Sequence, residues 1–149
     1  MIKWRDIELP GFDRPLRPVG TKRRRIFAAF LEGLIAEVSR PRVKAADAPK
    51  PKPEATTFAE ACAACRGHCC SKGGNDAYLD ETAIAQAWAR HSRLSKRALM
   101  RLYLDAIPKK AFADSCIFHA PNGCSLPRSL RAPVSEAYLC GPLMRLMKG

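Results

Sequence analysis

Apolar residues recur at intervals of three and four between residues 26 and 38, which is the spacing of one face of an α-helix. The pattern predicts an amphipathic helix that is capped by Thr21 and ended by Pro41, because proline cannot continue a helix. The predicted buried positions of this helix are Phe27, Phe30, Leu31, Leu34, Ile35 and Val38.

Two further helices are predicted where a capping residue precedes apolar positions at helical spacing. Asp80 caps the first of them, which runs to about His91. Ser95 begins the other, which runs to about Ile107 and is closed by a proline. The predicted buried positions are Ile84 and Trp88 in the first helix and Leu99, Leu102, Tyr103 and Ala106 in the second.

The remaining segments are rich in proline or in turn residues. Residues 1–20 read as an irregular arm, and residues 41–57, with four prolines among alanine and lysine, read as a semi-extended linker. We therefore divide the chain into residues 1–40 (arm and amphipathic helix), the linker 41–57 and a domain at 58–149. Near the C-terminus, an Asn122-Gly123 turn signal between short apolar pieces predicts a small hairpin.

Seven cysteines are the most unusual feature of the composition, and four of them fall within nine residues. Packing does not require that density, because a buried cysteine acts as a small hydrophobe and single copies suffice. Clustered thiols are instead the ligands of zinc and of iron–sulfur clusters. The predicted metal ligands are Cys62, Cys65, Cys69, Cys70, Cys116, Cys124 and Cys140.

The spacing of these cysteines indicates how they are presented. Cys62 and Cys65 share one face of a short predicted helix, and Gly67 lets the chain turn out of it. Cys69 and Cys70 then follow in non-helical backbone, where adjacent side chains point apart. We expect the fold to bring this group to the three C-terminal cysteines.

Two histidines are candidates for roles beside the cysteines. His119 stands between Cys116 and Cys124 at ligand spacing, although His is also common on the surface of a hairpin. His68 lies inside the cysteine run and is placed to hydrogen-bond a thiolate.

The formal net charge of the 149 residues is +12, which is compatible with an acidic partner such as RNA or simply with a solvated basic surface. Arginines at 93, 97 and 101 form a stripe, and the basic run 22–25 precedes the first apolar stripe. The chain has neither an apolar run of 18 residues nor a secretory pattern, so we expect a cytoplasmic protein without a transmembrane segment. Cytoplasmic thiols stay reduced, which favours metal binding over disulfides.

The order of these cysteines resembles that of the YkgJ-like cysteine-cluster proteins, described as putative zinc- or iron-chelating. Their signature is Cys-x2-Cys, then Cys-Cys, a C-terminal Cys, Gly-Cys, an Arg-Pro-like element and a final pair of cysteines. The matching residues here are Cys62, Cys65, Cys69, Cys70, Cys116, Gly123-Cys124, Arg131 with Pro133, and Cys140. The resemblance covers about residues 58–142 and implies a bound metal or iron–sulfur cluster.

One position departs from this signature, because Ser135 stands where the family has a cysteine. A missing ligand leaves either an incomplete site, a replacement by His119 or a solvent oxygen, or an open coordination position of the kind that catalytic metals keep. Some relatives are fused to methyl-transfer activity, but this chain has no glycine-rich nucleotide-binding loop.

The sequence thus predicts a mainly α fold: a small cysteine-rich, metal-stapled domain with a short C-terminal hairpin, and an N-terminal amphipathic helix on a Pro-rich linker. The leading functional hypothesis is a cytoplasmic protein that holds an iron–sulfur cluster, such as [4Fe–4S], or zinc. The alternatives are a zinc-stapled adaptor that binds RNA or another acidic partner, and a metalloenzyme with an open coordination position near Ser135.

Overall fold

The structure is a computed structural model that describes residues 3–9, 12–41, 60–61, 64–133, 142 and 144–145. The helices with described bounds are α1 (Thr21–Ala36), α2 (Glu81–Arg90) and α3 (Lys96–Asp105), and residues 60–61 and 64–65 are also helical. The strands in the described part are β1 (Leu16–Pro18), β2 (Lys110–Phe112), β3 (His119–Ala120) and β4 (Gly123–Cys124). Short 3-10 helices lie at Trp4–Asp6, His68–Lys72 and Arg128–Leu130. The described part of the chain is mainly α, with two small antiparallel sheets.

The predicted caps of α2 and α3 are confirmed. The side chain of Asp80 accepts a hydrogen bond from the amide of Ala83 at 2.8 Å, and the side chain of Ser95 accepts one from the amide of Ala98 at 3.1 Å. Each bond satisfies an amide that has no partner within the helix.

The predicted ends of α1 are wrong. Gly20, rather than Thr21, occupies the capping position, and it supplies no side-chain bond. The helix also ends at Ala36, well before Pro41, so proline is not what stops it. The residues beyond Ala36 leave the helix while Val38 remains buried, because the core rather than local propensity places this segment.

A single hydrophobic core joins the three helices to the C-terminal segment. The buried stripe of α1 is Phe27, Leu31 and Ile35, and it packs towards α2 and α3. Phe27 contacts Phe118 edge to face with ring centroids 5.2 Å apart, so residues from both sides of the predicted linker belong to the same core. The linker itself lies outside the described residues after Pro41, and the division of the chain stays a prediction.

The arm at residues 1–20 is not wholly irregular, which corrects the sequence-based expectation. β1 pairs antiparallel with β2, with Leu16 opposite Phe112 and Pro18 opposite Lys110. Two flanking bonds extend the ladder, from the amide of Ala113 to Pro15 and from that of Val19 to Lys109. No sequence pattern predicts such a short strand that ends in proline, and it forms only because its partner strand is present.

The predicted C-terminal hairpin is confirmed. β3 pairs with β4, so that His119 lies opposite Cys124 and Ala120 opposite Gly123. Gly123 has a φ of +108°, a conformation that glycine adopts without steric cost.

Candidate cysteine site

The two cysteine-bearing segments lie side by side and are joined through their backbones. The amide of Cys116 donates to the carbonyl oxygen of Cys70 at 3.0 Å. The hydroxyl of Ser115 lies 3.1 Å from that same oxygen. The fold therefore brings Cys69 and Cys70 to Cys116 and, through the hairpin, to Cys124, and these four residues are called the thiol cluster below.

The backbone around Cys69 and Cys70 is helical, which corrects the expectation of an irregular segment. Both residues lie in the 3-10 helix His68–Lys72, and the amide of Cys70 donates to Gly67 at 2.9 Å. Gly67 occupies the left-handed region, with a φ of +75°, as expected of a residue that lets the chain turn out of the helical segment before it.

A second glycine allows the two segments to approach closely. A Cβ atom at Gly73 would lie 2.7 Å from the Cβ of Cys116 and 3.0 Å from its Sγ, both closer than ordinary contact. The site thus depends on a missing side chain at Gly73 as well as on the cysteines. The segment after this glycine is also tied to the cysteines, because the hydroxyl of Tyr78 donates to the carbonyl oxygen of Cys69 at 2.8 Å.

His119 is fully buried, so it is not the surface residue that hairpins often show. Its ring hydrogen-bonds a residue next to each of the two cysteine-bearing segments. Its Nε2 lies 2.6 Å from the carbonyl oxygen of Arg66, and its Nδ1 lies 2.8 Å from the hydroxyl of Ser115. Burial lowers the pKa of His119, which favours the neutral ring. Because a carbonyl only accepts, Nε2 carries the proton of the neutral ring, and the single hydroxyl proton of Ser115 is shared between Nδ1 and the carbonyl oxygen of Cys70.

This arrangement leaves neither nitrogen of His119 available as a ligand. The ring also packs against Phe12 and Phe112, with centroids 4.6 Å and 4.5 Å away. The expectation that His119 replaces a missing cysteine is therefore not supported by its contacts, and its role is to position the segments around the thiol cluster.

The thiols of Cys69 and Cys70 interact directly, so they do not point apart as expected from sequence. A hydrogen bond from Cys70 lowers the pKa of Cys69 to about 6, and the same bond raises the pKa of Cys70. Burial raises the pKa of Cys116 to about 11. At neutral pH, Cys69 is therefore mostly thiolate, while Cys70 and Cys116 keep their protons.

Negative charge is costly within the thiol cluster. Besides the bond to Cys69 and burial, the charges of Cys69, Cys116 and Cys124 each raise the pKa of Cys70. Two nearby groups act in the opposite direction: His68 lowers the pKa of Cys69, and Arg23 lowers that of Cys116. The predicted hydrogen bond from His68 to a thiolate stays a prediction.

Backbone strain is concentrated around the same site. The described residues other than glycine that have a positive φ are Arg66, Ala77, Tyr78 and Asp114. Arg66 precedes the 3-10 helix of Cys69 and Cys70, the pair at 77–78 follows it, and Asp114 lies two residues before Cys116. Each such residue costs about 1–3 kcal/mol, and strain of this kind gathers at functional sites.

The predicted ligands differ in burial. Cys65 is buried in helical backbone, Cys116 is buried, Cys70 and Cys124 are half-buried, and Cys69 is exposed. Cys62, Cys140 and Ser135 lie outside the described residues. Within the described ranges, no three Cys, His, Asp or Glu side chains form a group able to hold a metal ion.

Comparisons with protein-family models, with curated proteins and with solved structures find no match to this chain. The resemblance to the YkgJ-like proteins therefore stays a prediction. None of the helices in the described part of the chain has the length and apolar character that spanning a bilayer requires.

The basic residues singled out in the sequence divide into two groups. Arg93, Arg97 and Arg101 are exposed. Arg23 and Arg24 instead bind inward: Arg23 donates to Asn75 at 2.6 Å and to the carbonyl oxygen of Ser115, and Arg24 donates to that of Val19 at 3.1 Å. Sequence reasoning placed Arg23 in the basic run 22–25 but missed it, and Ser115, as parts of the site, since local spacing does not show which residues lie beside the cysteines.

Proposed function

We propose that this protein binds an iron–sulfur cluster or a zinc ion through its clustered cysteines, with the iron–sulfur cluster preferred because the chain offers adjacent and surplus thiols. The observation that carries the proposal is the bond between the backbones of Cys116 and Cys70, which joins two cysteine-bearing segments that are distant in sequence. An iron–sulfur cluster would supply electron transfer, and zinc would supply folding energy.

The chemistry of the thiol cluster fits such a group. Its donors are sulfur atoms, which suit iron–sulfur clusters and zinc better than hard cations. Burial and mutual repulsion oppose a second thiolate beside Cys69, and a bound cation would remove that opposition. The strained backbone around the segments supports the proposal, because it is retained at a cost to stability.

Binding would also have to rearrange the thiols. The described residues contain no ready group of three ligands, so the side chains of the thiol cluster would have to turn towards a common centre. Cys62 and Cys140 are the other candidate ligands, in segments that the structure does not describe. We therefore expect metal binding to be coupled to local ordering and to raise stability.

The test is elemental analysis and absorption spectroscopy of protein purified without oxygen. About four irons with matching sulfide, and a brown band that bleaches on reduction, would support the iron–sulfur cluster. One tightly bound zinc without colour would support the zinc form. A chain that contains neither metal and still unfolds cooperatively would contradict the proposal.

Variants separate a specific site from loose binding to thiols. Cys70→Ser and Cys116→Ser should each lose most of the bound metal. The control is Ser71→Ala, which changes a half-buried residue of the same 3-10 helix without removing a thiol, and it should retain the metal. Equal metal content in all three variants would argue against the thiol cluster as the site.

A second candidate function is the adaptor, and the exposure of Arg93, Arg97 and Arg101 favours it. If these side chains contact phosphates, affinity for a short RNA should fall steeply with salt. The triple change to glutamine should reduce both the affinity and that salt dependence. Salt-independent binding, or no binding at low salt, would remove this candidate.

A further inference from the structure

A pocket of about 740 Å³ lies beside the thiol cluster, between β1, the first turn of α1, β2 and the loop at Gly74 and Asn75. Its size falls within the usual range for small-molecule sites. Arg23 and Ser115 line the pocket, and the charge of Arg23 also lowers the pKa of Cys116. These two residues therefore belong both to the pocket and to the surroundings of the thiol cluster, but no cysteine lines the pocket.

Positive charge dominates the lining of this pocket. Arg17, Lys22 and Arg23 contribute three positive charges, and Asp114 contributes one negative charge. The first turn of α1 contains no acidic residue that would balance them. Concentrating cations at the positive end of a helix costs stability, so the arrangement lacks a structural explanation in α1 itself.

One of these cations is fixed in place before any ligand arrives. Arg23 is anchored by Asn75 and by the carbonyl oxygen of Ser115, so its guanidinium loses little freedom on binding. Arg17 and Lys22 are exposed and can adjust to a ligand. The bonds that anchor Arg23, and one to the carbonyl oxygen of Gly74, use its Nε and Nη2, so Nη1 is the nitrogen left to donate to a ligand. Together with the adjustable charges of Arg17 and Lys22, it suits an anion with several oxygens.

Part of the remaining lining is apolar. Pro18, Ala111 and Phe112 contribute to one wall, and Ile26 lines the pocket while remaining 46% exposed. An inorganic ion would leave that surface uncovered, whereas a ligand with a ring system would cover it.

We propose that this pocket binds a small molecule with two or more phosphate groups and an apolar or planar part, of which a nucleoside diphosphate is the model, with its phosphates held by Arg17, Lys22 and Arg23. The proposal does not depend on the identity of the metal, or on its presence.

The test is calorimetric titration of the full chain with ADP, pyrophosphate, adenosine and citrate at matched ionic strength. We expect saturable binding in the order ADP, then pyrophosphate, with no binding of adenosine alone. Tighter binding of citrate than of ADP would overturn the assignment to phosphate. Absence of saturable binding of ADP and pyrophosphate up to millimolar concentrations would overturn the site.

Three substitutions locate the binding. Lys22→Gln should weaken the binding of ADP at least about tenfold, which is the usual effect of losing a charge-assisted hydrogen bond. Asp114→Asn should tighten it, because it removes the negative charge, and asparagine tolerates the φ of +52° at this position. Arg25→Gln is the control, since Arg25 is exposed on α1 and outside the lining. Equal weakening by Lys22→Gln and Arg25→Gln would show nonspecific attraction and overturn the proposal.

Binding should also persist without the metal. The Cys70→Ser variant and the chelated wild-type chain are expected to bind ADP within about threefold of the untreated protein, provided that circular dichroism shows them folded. Loss of ADP binding from a folded, metal-free chain would contradict the independence of the two sites. A metal-free chain that still binds ADP would leave the pocket supported even if the metal proposal failed.

Discussion

The imidazole of His119 donates a hydrogen bond of 2.6 Å to the carbonyl oxygen of Arg66, a residue 53 positions earlier in the chain. This bond ties the C-terminal hairpin to the turn from which the segment of Cys69 and Cys70 emerges. The same ring reaches Ser115 on its other side, so one buried side chain sets the position of both cysteine-bearing segments. Several consequences of this arrangement are measurable.

Replacing His119 should destabilise the fold. His119→Ala removes two buried hydrogen bonds and leaves a cavity between Phe12 and Phe112, for an expected loss of about 2–4 kcal/mol in the free energy of unfolding. Urea unfolding at fixed metal content measures it. The control is His91→Ala, because His91 is only half-buried and bonds one side chain, Ser129. Similar losses in the two variants would contradict the assigned role of His119.

Stability should decrease with acid in a way that depends on His119. Burial holds its pKa below the ordinary value of about 6.5, so the unfolded chain takes up a proton first as the pH falls. The contribution of the neutral ring is therefore complete above about pH 6.5 and is lost as the pH falls towards the pKa of the folded state.

The measurement is the free energy of unfolding at several pH values between about 5 and 8, where histidines titrate. The slope should be positive below about pH 6.5 and approach at most about 1.4 kcal/mol per pH unit for this one group. His119→Gln should flatten that part of the curve, while His68 and His91 are unchanged. An identical slope in the variant would assign the acid sensitivity to other groups.

Two glycine-to-alanine changes should act in opposite directions. At Gly67 the new Cβ would lie 2.7 Å from Nε2 of His119, and the residue has a positive φ, so a loss of at least about 2 kcal/mol is expected. At Gly33, inside α1, a Cβ would meet nothing within 4 Å, and alanine should stabilise by about 0.5–1 kcal/mol. Thermal unfolding of both variants tests the pair, and equal effects would contradict it.

The cysteines should differ in their reaction with iodoacetamide. With a pKa of about 6 and an exposed side chain, Cys69 is mostly thiolate at pH 7, whereas Cys116 is buried and has a pKa of about 11. In metal-free reduced protein, Cys69 should be alkylated at least about 100-fold faster than Cys116, as measured by mass spectrometry of peptides.

The cause of this reactivity can be tested separately. Cys70→Ala removes the hydrogen bond that mainly lowers the pKa of Cys69, so the pH midpoint of alkylation at Cys69 should rise. Cys124→Ala removes a thiol that does not act on Cys69 directly, and it should leave that midpoint in place. A midpoint unchanged by both substitutions would mean that the bond to Cys70 does not control Cys69.

Helices and turns were predictable where local chemistry decides them. Asp80 and Ser95 cap their helices as their residue types predict, since the capping bond forms within three residues. The hairpin also forms at its turn signal. β1 could not be predicted, because three residues ending in Pro18 acquire hydrogen bonds only from β2, far along the chain.

The amino-acid sequence by itself determined the cysteine clusters, the apolar faces of the helices and the excess of positive charge, because each depends on residue type and short-range spacing. Only the tertiary structure decided that Cys70 and Cys116 lie side by side, that His119 is a buried connector and that Arg23 turns inward towards Ser115. The physical reason is that hydrogen bonds between distant segments, and the burial of the ring of His119, depend on which surfaces meet in the folded core. Local spacing along the chain does not determine which surfaces meet.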